Sequence, residues 1–414
     1  MTSELTVPHH EVNLPDHGVN LAGGPEILAI PGPSIMPDRV LAAMARQMTD
    51  IYVGDLVDIS DEIGVGLSAV ARTTAEPFIG ICNGHGAWEM ALANTLSRGD
   101  KVLVFDCGGF ATGWGEMARF NGLDVEIIAA APARAVDPAV VEAHLRADSS
   151  HQVKAVLMVH VDTGTSIRND IAAMRTAIDA AGHPALFMVD CIASLGCERY
   201  EMDEWGVDVT VAASQKGLMT PPGLGFVWPS ERALEAHLTA NLRTSYWDWT
   251  SRQNRSAHYL RYCGTPPVSH LFALREALLM IADEGLENVW ARHRVIASAV
   301  RAAVGAWVAP DGLELHAKFS REQANSVTSV LTGAVHAADI RRLCQEQMGV
   351  TLGIGLRDAA GRSFRIGHMG HVNAPGILGV LSAIDTALDV IDAPRSGSGA
   401  AAAAAVMAAA IAGE

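Results

Sequence analysis

The sequence predicts an α/β protein: a large domain on a mostly parallel central sheet flanked by helices, then a smaller α+β domain toward the C-terminus. Three observations predict it. Apolar runs of strand length alternate with longer stretches of helical period. The runs are apolar throughout, which suits strands covered on both faces, as in a parallel sheet. Strand–helix alternation is the pattern of layered α/β domains, and 414 residues leave room for two or three of them at ~150 residues each.

Residues 1–26 hold His, Pro, Asp and Gly without a clear period and read as an arm. Residues 27–275 carry the regular alternation and form the large domain. Its candidate strands are Lys101–Asp106, Val125–Ala130, Lys154–Val161, Ala185–Asp190, Val207–Ser214 and Leu224–Trp228. Ala87–Leu96, Gly113–Asn121 and Asp170–Ala181 have helical spacing. Between Arg243 and Thr265 the pattern breaks. That segment holds Tyr246, Trp247, Trp249, Tyr259, Tyr262 and four arginines, and reads equally as a functional loop or a packed surface loop. A helical stretch, His270–Ala297, follows. Residues 276–392 mix short strands and helices as a smaller domain. Residues 393–414 are an Ala-rich tail, either helical or disordered.

Composition narrows the function. Hydrophobic residues make up 49% and charged residues 18%, which excludes a disordered or fibrous chain. The net charge of −16 leaves no basic face for nucleic acid. No membrane partner is expected, because the longest small-apolar run, Gly399–Gly413, is shorter than the ~20 residues of a span. The N-terminus lacks the basic and apolar regions of a signal peptide. The six cysteines form no CxxC pair, so no metal site is expected. They read as reduced thiols of a cytoplasmic protein.

The chemistry concentrates between Phe187 and Gly225. Asp190 closes a buried strand, and ligands of α/β sheets sit at the carboxyl ends of strands. Lys216 follows the next apolar strand, preceded by Ser214 and Gln215 and followed by Pro221, Pro222 and Gly223. A lysine after a strand is ordinarily a solvated end residue. An acid able to pair a pyridinium nitrogen, with a lysine able to form a Schiff base, is what pyridoxal 5′-phosphate requires.

The Asp…Ser-Gln-Lys…Pro-Pro-Gly set and the run Met202–Asp208 resemble the class V aminotransferases of fold type I. Within them the closest resemblance is to the serine–, alanine– and aspartate–glyoxylate aminotransferases. It spans Ile27 to Ile391 and implies the fold of the type I pyridoxal phosphate-dependent transferases. It also implies ping-pong transfer from a small amino acid (serine, alanine or aspartate) to glyoxylate or a similar 2-oxo acid. Lys216 and Asp190 would be catalytic, Lys216 carrying pyridoxal 5′-phosphate as a Schiff base. Ser214 and Gln215 would flank the cofactor.

Other segments fit the resemblance. Gly84, His85 and Gly86 open a helix and would face the phosphate; a glycine-rich turn offers free N–H groups there. Phe110 matches the aromatic that stacks on the ring, although by itself it reads as core. Thr163, with Thr165 as second candidate, would reach the phenolic oxygen. Tyr262 and Thr265 match a Tyr-x-x-Thr-Pro-Pro stretch that reaches the phosphate of the neighbouring subunit. That match implies a homodimer with shared sites, or a tetramer built from it. Arg365 would pair the substrate α-carboxylate, with Pro33 and Ser34 of the opening Pro-Gly-Pro turn beside it.

Departures keep alternatives open. Tyr52-Val53-Gly54-Asp55 stands where many glyoxylate-using members carry His-Arg-Ser-Pro, and Ala213 replaces the usual glycine. Pyridoxamine–pyruvate aminotransferase, which acts on the free vitamer, also shares the Arg365–Gly370 string. Arg357 is either a partner for a second carboxylate or a solvated loop residue. A cysteine desulfurase would need an exposed nucleophilic cysteine. A nicotinamide dehydrogenase would need a GxGxxG after its first strand, which is missing.

Overall fold

The computed structural model describes Val19–Gly413, so most of the expected arm lies outside the described residues. In chain order the strands are β1 (Ile27–Ala29), β2 (Phe78–Cys82), β3 (Lys101–Asp106), β4 (Asp124–Ala129), β5 (Val153–Val159), β6 (Val161–Asp162) and β7 (Ile167–Arg168). They continue as β8 (Leu186–Asp190), β9 (Val209–Ala213), β10 (Gly223–Pro229), β11 (Glu314–Leu315), β12 (Val327–Leu331), β13 (Val350–Ile354) and β14 (Ser363–Gly367). A seven-stranded sheet runs β2-β10-β9-β8-β5-β3-β4. All neighbours from β9 to β4 are parallel, and β10 alone runs against the rest. Strands β8 and β9 are buried at every residue, as their unbroken apolar text requires.

The sheet is covered by helices with identifiable starts. Asn83 caps helix Gly84–Thr95, accepting the N–H groups of His85 and Gly86 at 3.1 and 3.3 Å. Asp170 caps Ile171–Ala180 through the Ala173 N–H. The stretch expected as one helix near His270 is two, Val268–Glu284 and Leu286–Trp307. They are separated at Gly285 in the left-handed region (φ 84°). In the aromatic and arginine-rich segment, Trp249 is buried and stacked on Phe78 at 4.9 Å. Arg252 is buried on the carbonyls of Ile79, Tyr246 and Arg261, so this segment is a packed strap.

A second sheet runs β1-β13-β14-β12-β11 and is antiparallel except for β1, which lies parallel to β13. Ile27–Ala29, expected to open the large domain, thus belongs to the smaller sheet, where it covers the free edge of β13. Hydrophobic packing passes from the first core to the second along helix Leu286–Trp307: Val289 belongs to one and Ile296 to the other. The Ala-rich tail is a helix, Gly399–Ala412, packed on that helix and on Ala374–Val390. Asp385 holds its start, accepting the Gly399 and Ala400 N–H groups at 3.0 Å and the Trp307 indole at 2.7 Å. No helix among the described residues is long and apolar enough to cross a membrane.

Candidate active site

The carboxyl ends of β3, β5, β8 and β9 share one edge of the large sheet, and each exits into a loop that carries chemistry. Asp190 is the last residue of β8 and is 3% exposed. Its Oδ2 accepts the Trp88 indole N–H at 2.9 Å, and its Oδ1 accepts the Ile192 N–H at 2.6 Å. Burial pushes the carboxyl up to about 7; the two donors and Lys216 oppose the shift, and Asp162 adds to it.

Lys216 lies three residues past β9. Its Nζ donates to the Pro31 carbonyl. Burial, then the neighbouring Arg365 cation, pulls the amine down to about 8. The Pro31–Ser34 turn is latched onto this loop. Ser34 donates its hydroxyl to the Lys216 carbonyl at 2.7 Å and its N–H to the Gln215 carbonyl at 2.9 Å. At Gly32 (φ 103°) a Cβ would fall 2.3 Å from Lys216 Nζ, so any larger residue there would collide with the amine. Neither Pro33 nor Ser34 lines the lysine cavity; Ser34 meets Lys216 at its backbone carbonyl, and the amine is met by Pro31 through its backbone oxygen.

A cavity of about 190 Å³ joins these groups. Gly84, His85, Phe110, Thr163, Asp190, Gln215 and Lys216 line it, together with Trp88 and Ile192. Ser214 stands behind, bonded to the Pro221 carbonyl at 2.6 Å. Gly84 brings helix Gly84–Thr95 close: a Cβ there would fall 2.3 Å from Ile192 Cδ1. Phe110 is held by Asp162, which accepts the N–H groups of Phe110, Gly164 and Thr165 at 2.9, 2.8 and 3.1 Å. The cavity shares His85, Trp88 and Phe110 with a wider hollow of about 1050 Å³, where Arg357 lies exposed across Gly109.

Arg365, from the middle of β14, is 8% exposed. It donates from Nε to the Ile354 carbonyl at 2.6 Å and from one terminal nitrogen to the Thr163 carbonyl at 3.0 Å. Burial lowers it to about 10, with Asp162 the opposing charge. Among the described residues no acid is bonded to it, so a buried guanidinium is anchored by neutral carbonyls. Such a group favours an anionic ligand in bidentate geometry.

Two residues expected at a neighbouring subunit's site lie away from the site of their own chain. Tyr262 is 1% exposed and donates its hydroxyl to Ser60 at 2.8 Å, while Thr265 is exposed; neither lines the lysine cavity of its own chain. No cysteine sits exposed. Cys107, Cys191, Cys197 and Cys344 are buried, Cys82 and Cys263 are half-buried, and burial pushes Cys82 up to about 11. Trp88 escapes sequence reading, while Pro31 and Asp162 are read only as members of the opening Pro-Gly-Pro turn and of the run that holds Thr163 and Thr165. Trp88 has the phase of a core residue, Asp162 sits in a string notable for its threonines, and a backbone oxygen carries no side-chain signal.

The lysine amine should be captured only when neutral. Below about 8 the protonated form dominates. Uptake of pyridoxal 5′-phosphate by the cofactor-free protein should therefore rise ~10-fold per pH unit and level off above that value. Stopped-flow absorbance from pH 6 to 9 checks this, roughly spanning one to two units on either side. A flat profile would show that Lys216 is not the group that limits capture.

An amine that is partly neutral near physiological pH, on the same cavity as a buried acid, fits an aromatic aldehyde whose ring nitrogen needs an anion. Pyridoxal 5′-phosphate is that molecule, and the fold with this site defines a pyridoxal phosphate-dependent transferase of fold type I. Within that class the chain belongs to the aminotransferases of class V, whose family model matches residues 82–369. It is similar to a serine–glyoxylate aminotransferase of Methylorubrum extorquens, 40% identical over 87% of this chain and 90% of that one. An L-aspartate–glyoxylate aminotransferase of Paracoccus denitrificans is 39% identical over 90% and 94%. The solved structure of pyridoxamine–pyruvate aminotransferase from Mesorhizobium loti superposes with a TM-score of 0.85 at 26% identity, over 96% of this chain and 99% of that one.

Proposed function

We propose that the protein transfers the amino group of serine, alanine or aspartate to glyoxylate by a ping-pong mechanism. The observation that carries this is Arg365, a buried cation without an acid partner beside the lysine cavity. The likeness to serine– and aspartate–glyoxylate aminotransferases supports the choice of substrates. Bound pyridoxal 5′-phosphate supplies an electrophilic carbonyl and an electron sink. Lys216 would hold the cofactor covalently and would take the proton from the substrate α-carbon. Asp190 keeps the proton on the ring nitrogen. Phe110, His85 and Thr163 line the same cavity, where the first two would bound the ring. The amides of Gly84, His85 and Gly86 would hold the phosphate, in competition with Asn83 for the last two. Arg365 fixes the α-carboxylate and so the direction of the breaking C–H bond.

Incubation with each donor plus glyoxylate, followed by measurement of glycine, tests the reading. Glycine should form with at least one donor, and its absence with all three would refute it. The likeness to pyridoxamine–pyruvate aminotransferase favours one second reading, amino transfer from free pyridoxamine to pyruvate. It is tested by the same assay with those substrates. Replacing Arg365 with alanine should raise the donor KM ~100-fold, because a charged hydrogen-bonded pair is lost. An unchanged KM removes the carboxylate role.

The active unit is proposed as a homodimer of a cytoplasmic enzyme. Leu41, Met48, Tyr52, Val53 and Val65 are exposed apolar residues on neighbouring parts of one N-terminal segment. Thr265 is free to reach a second chain, whereas the Tyr262 hydroxyl would first have to leave Ser60. Sedimentation at twice the chain mass is the expected result, and a catalytically active monomer contradicts it.

A further inference from the structure

We propose that Trp88 is a positioning residue for Asp190: its indole N–H fixes the carboxylate in the orientation that meets the cofactor ring. The inference rests on the proposed pairing of Asp190 with the ring nitrogen. Among the described residues Trp88 is the one side chain that donates to Asp190; the second donor is the backbone N–H of Ile192. Each carboxylate oxygen therefore has one fixed donor, and the group cannot rotate without breaking a bond.

Packing fixes the direction of the indole. Trp88 is 1% exposed on helix Gly84–Thr95, with Trp114 stacked 5.9 Å away and the His85 ring at 4.6 Å. It also lines the lysine cavity. Four other indoles show that packing alone does not require this bond. Among the described residues Trp114, Trp228, Trp249 and Trp290 bury their N–H groups without a partner. Trp247 and Trp307 also donate to carboxylates, those of Glu89 and Asp385, but of these three only Trp88 lines the lysine cavity. A neutral donor is the suitable kind here. It stabilises the anion without cancelling the charge that the ring nitrogen needs, as a buried lysine or arginine would do.

The test is a double-mutant cycle read by cofactor affinity. Kd for pyridoxal 5′-phosphate is measured by absorbance titration of the cofactor-free native protein, Trp88→Phe, Asp190→Asn and the double variant. Thermal denaturation of each confirms folding. Trp88→Phe should weaken binding ~10-fold in the native background, the scale of one hydrogen bond to a charged group. In the Asp190→Asn background it should weaken binding less than ~2-fold, because the charge through which it acts is gone. Equal losses in both backgrounds would make Trp88 a packing residue and overturn the proposal, as would a loss below twofold in the native one. If Asp190→Asn itself leaves Kd unchanged, the ring-nitrogen pairing falls and this inference with it. If Trp88→Phe does not fold, benzothienylalanine at position 88 keeps the bicycle and removes only the N–H, and the same thresholds apply.

Discussion

Replacing Lys216 with alanine is expected to lower turnover on the order of 10⁴-fold, since one side chain both carries the cofactor and moves the α-proton. No second lysine is placed to take over. Among the described residues the only other lysines are Lys101, Lys154 and Lys318, and none lines the lysine cavity. His85 does line it, and burial lowers its pKa, which favours a neutral ring and makes it the one alternative base. A quenched assay of donor consumption checks the prediction. Turnover within ~10-fold of the native value would mean that proton transfer belongs to another group. The cofactor should still bind the alanine variant through the phosphate and ring contacts, more weakly and without a covalent link, which mass spectrometry after borohydride reduction would show.

The second large effect is expected from Asp190→Asn. Asparagine fits the same space and can still accept the Trp88 and Ile192 N–H groups, so folding should survive. What is lost is the negative charge at the point where the ring nitrogen needs it. Removing one preorganised electrostatic contact of this kind costs about 10²–10³-fold in kcat. The donor KM should change little, since Arg365 and not Asp190 faces the carboxylate in the proposed arrangement. A kcat within ~3-fold of native would show that the ring nitrogen needs no anion in this enzyme.

Asp190 and Lys216 are legible as candidates because one closes an unbroken apolar run and the other follows one by three residues, where a titratable side chain is conspicuous. Lys101–Asp106 appears as β3 to the residue, and the other five expected strands lie within a few positions of their bounds, whereas β2, Phe78–Cys82, is not among the expected strands. Direction was not legible. An apolar run reads the same in a parallel or an antiparallel neighbour, and nothing in Gly223–Pro229 marks β10 as reversed. Helix starts at Gly84 and Gly109 were read three or four residues late, because glycine-rich text looks like a turn. The Ile27–Ala29 strand is three residues long and takes its place from a distant edge, Val350–Leu352, which no local pattern encodes. For the same reason no local pattern encodes the contact of Lys216 with Pro31 or the bond of Trp88 to Asp190.

The central claim is that this chain cycles pyridoxal 5′-phosphate through its amino form with a small amino acid and glyoxylate. The most direct test is one absorbance spectrum of the purified protein with added cofactor, followed through two additions. Serine, alanine or aspartate should make the visible band fall while a near-ultraviolet band rises, and glyoxylate should then restore the first. Failure of the cofactor to produce a visible band, or a band that none of the three amino acids moves, would contradict the account.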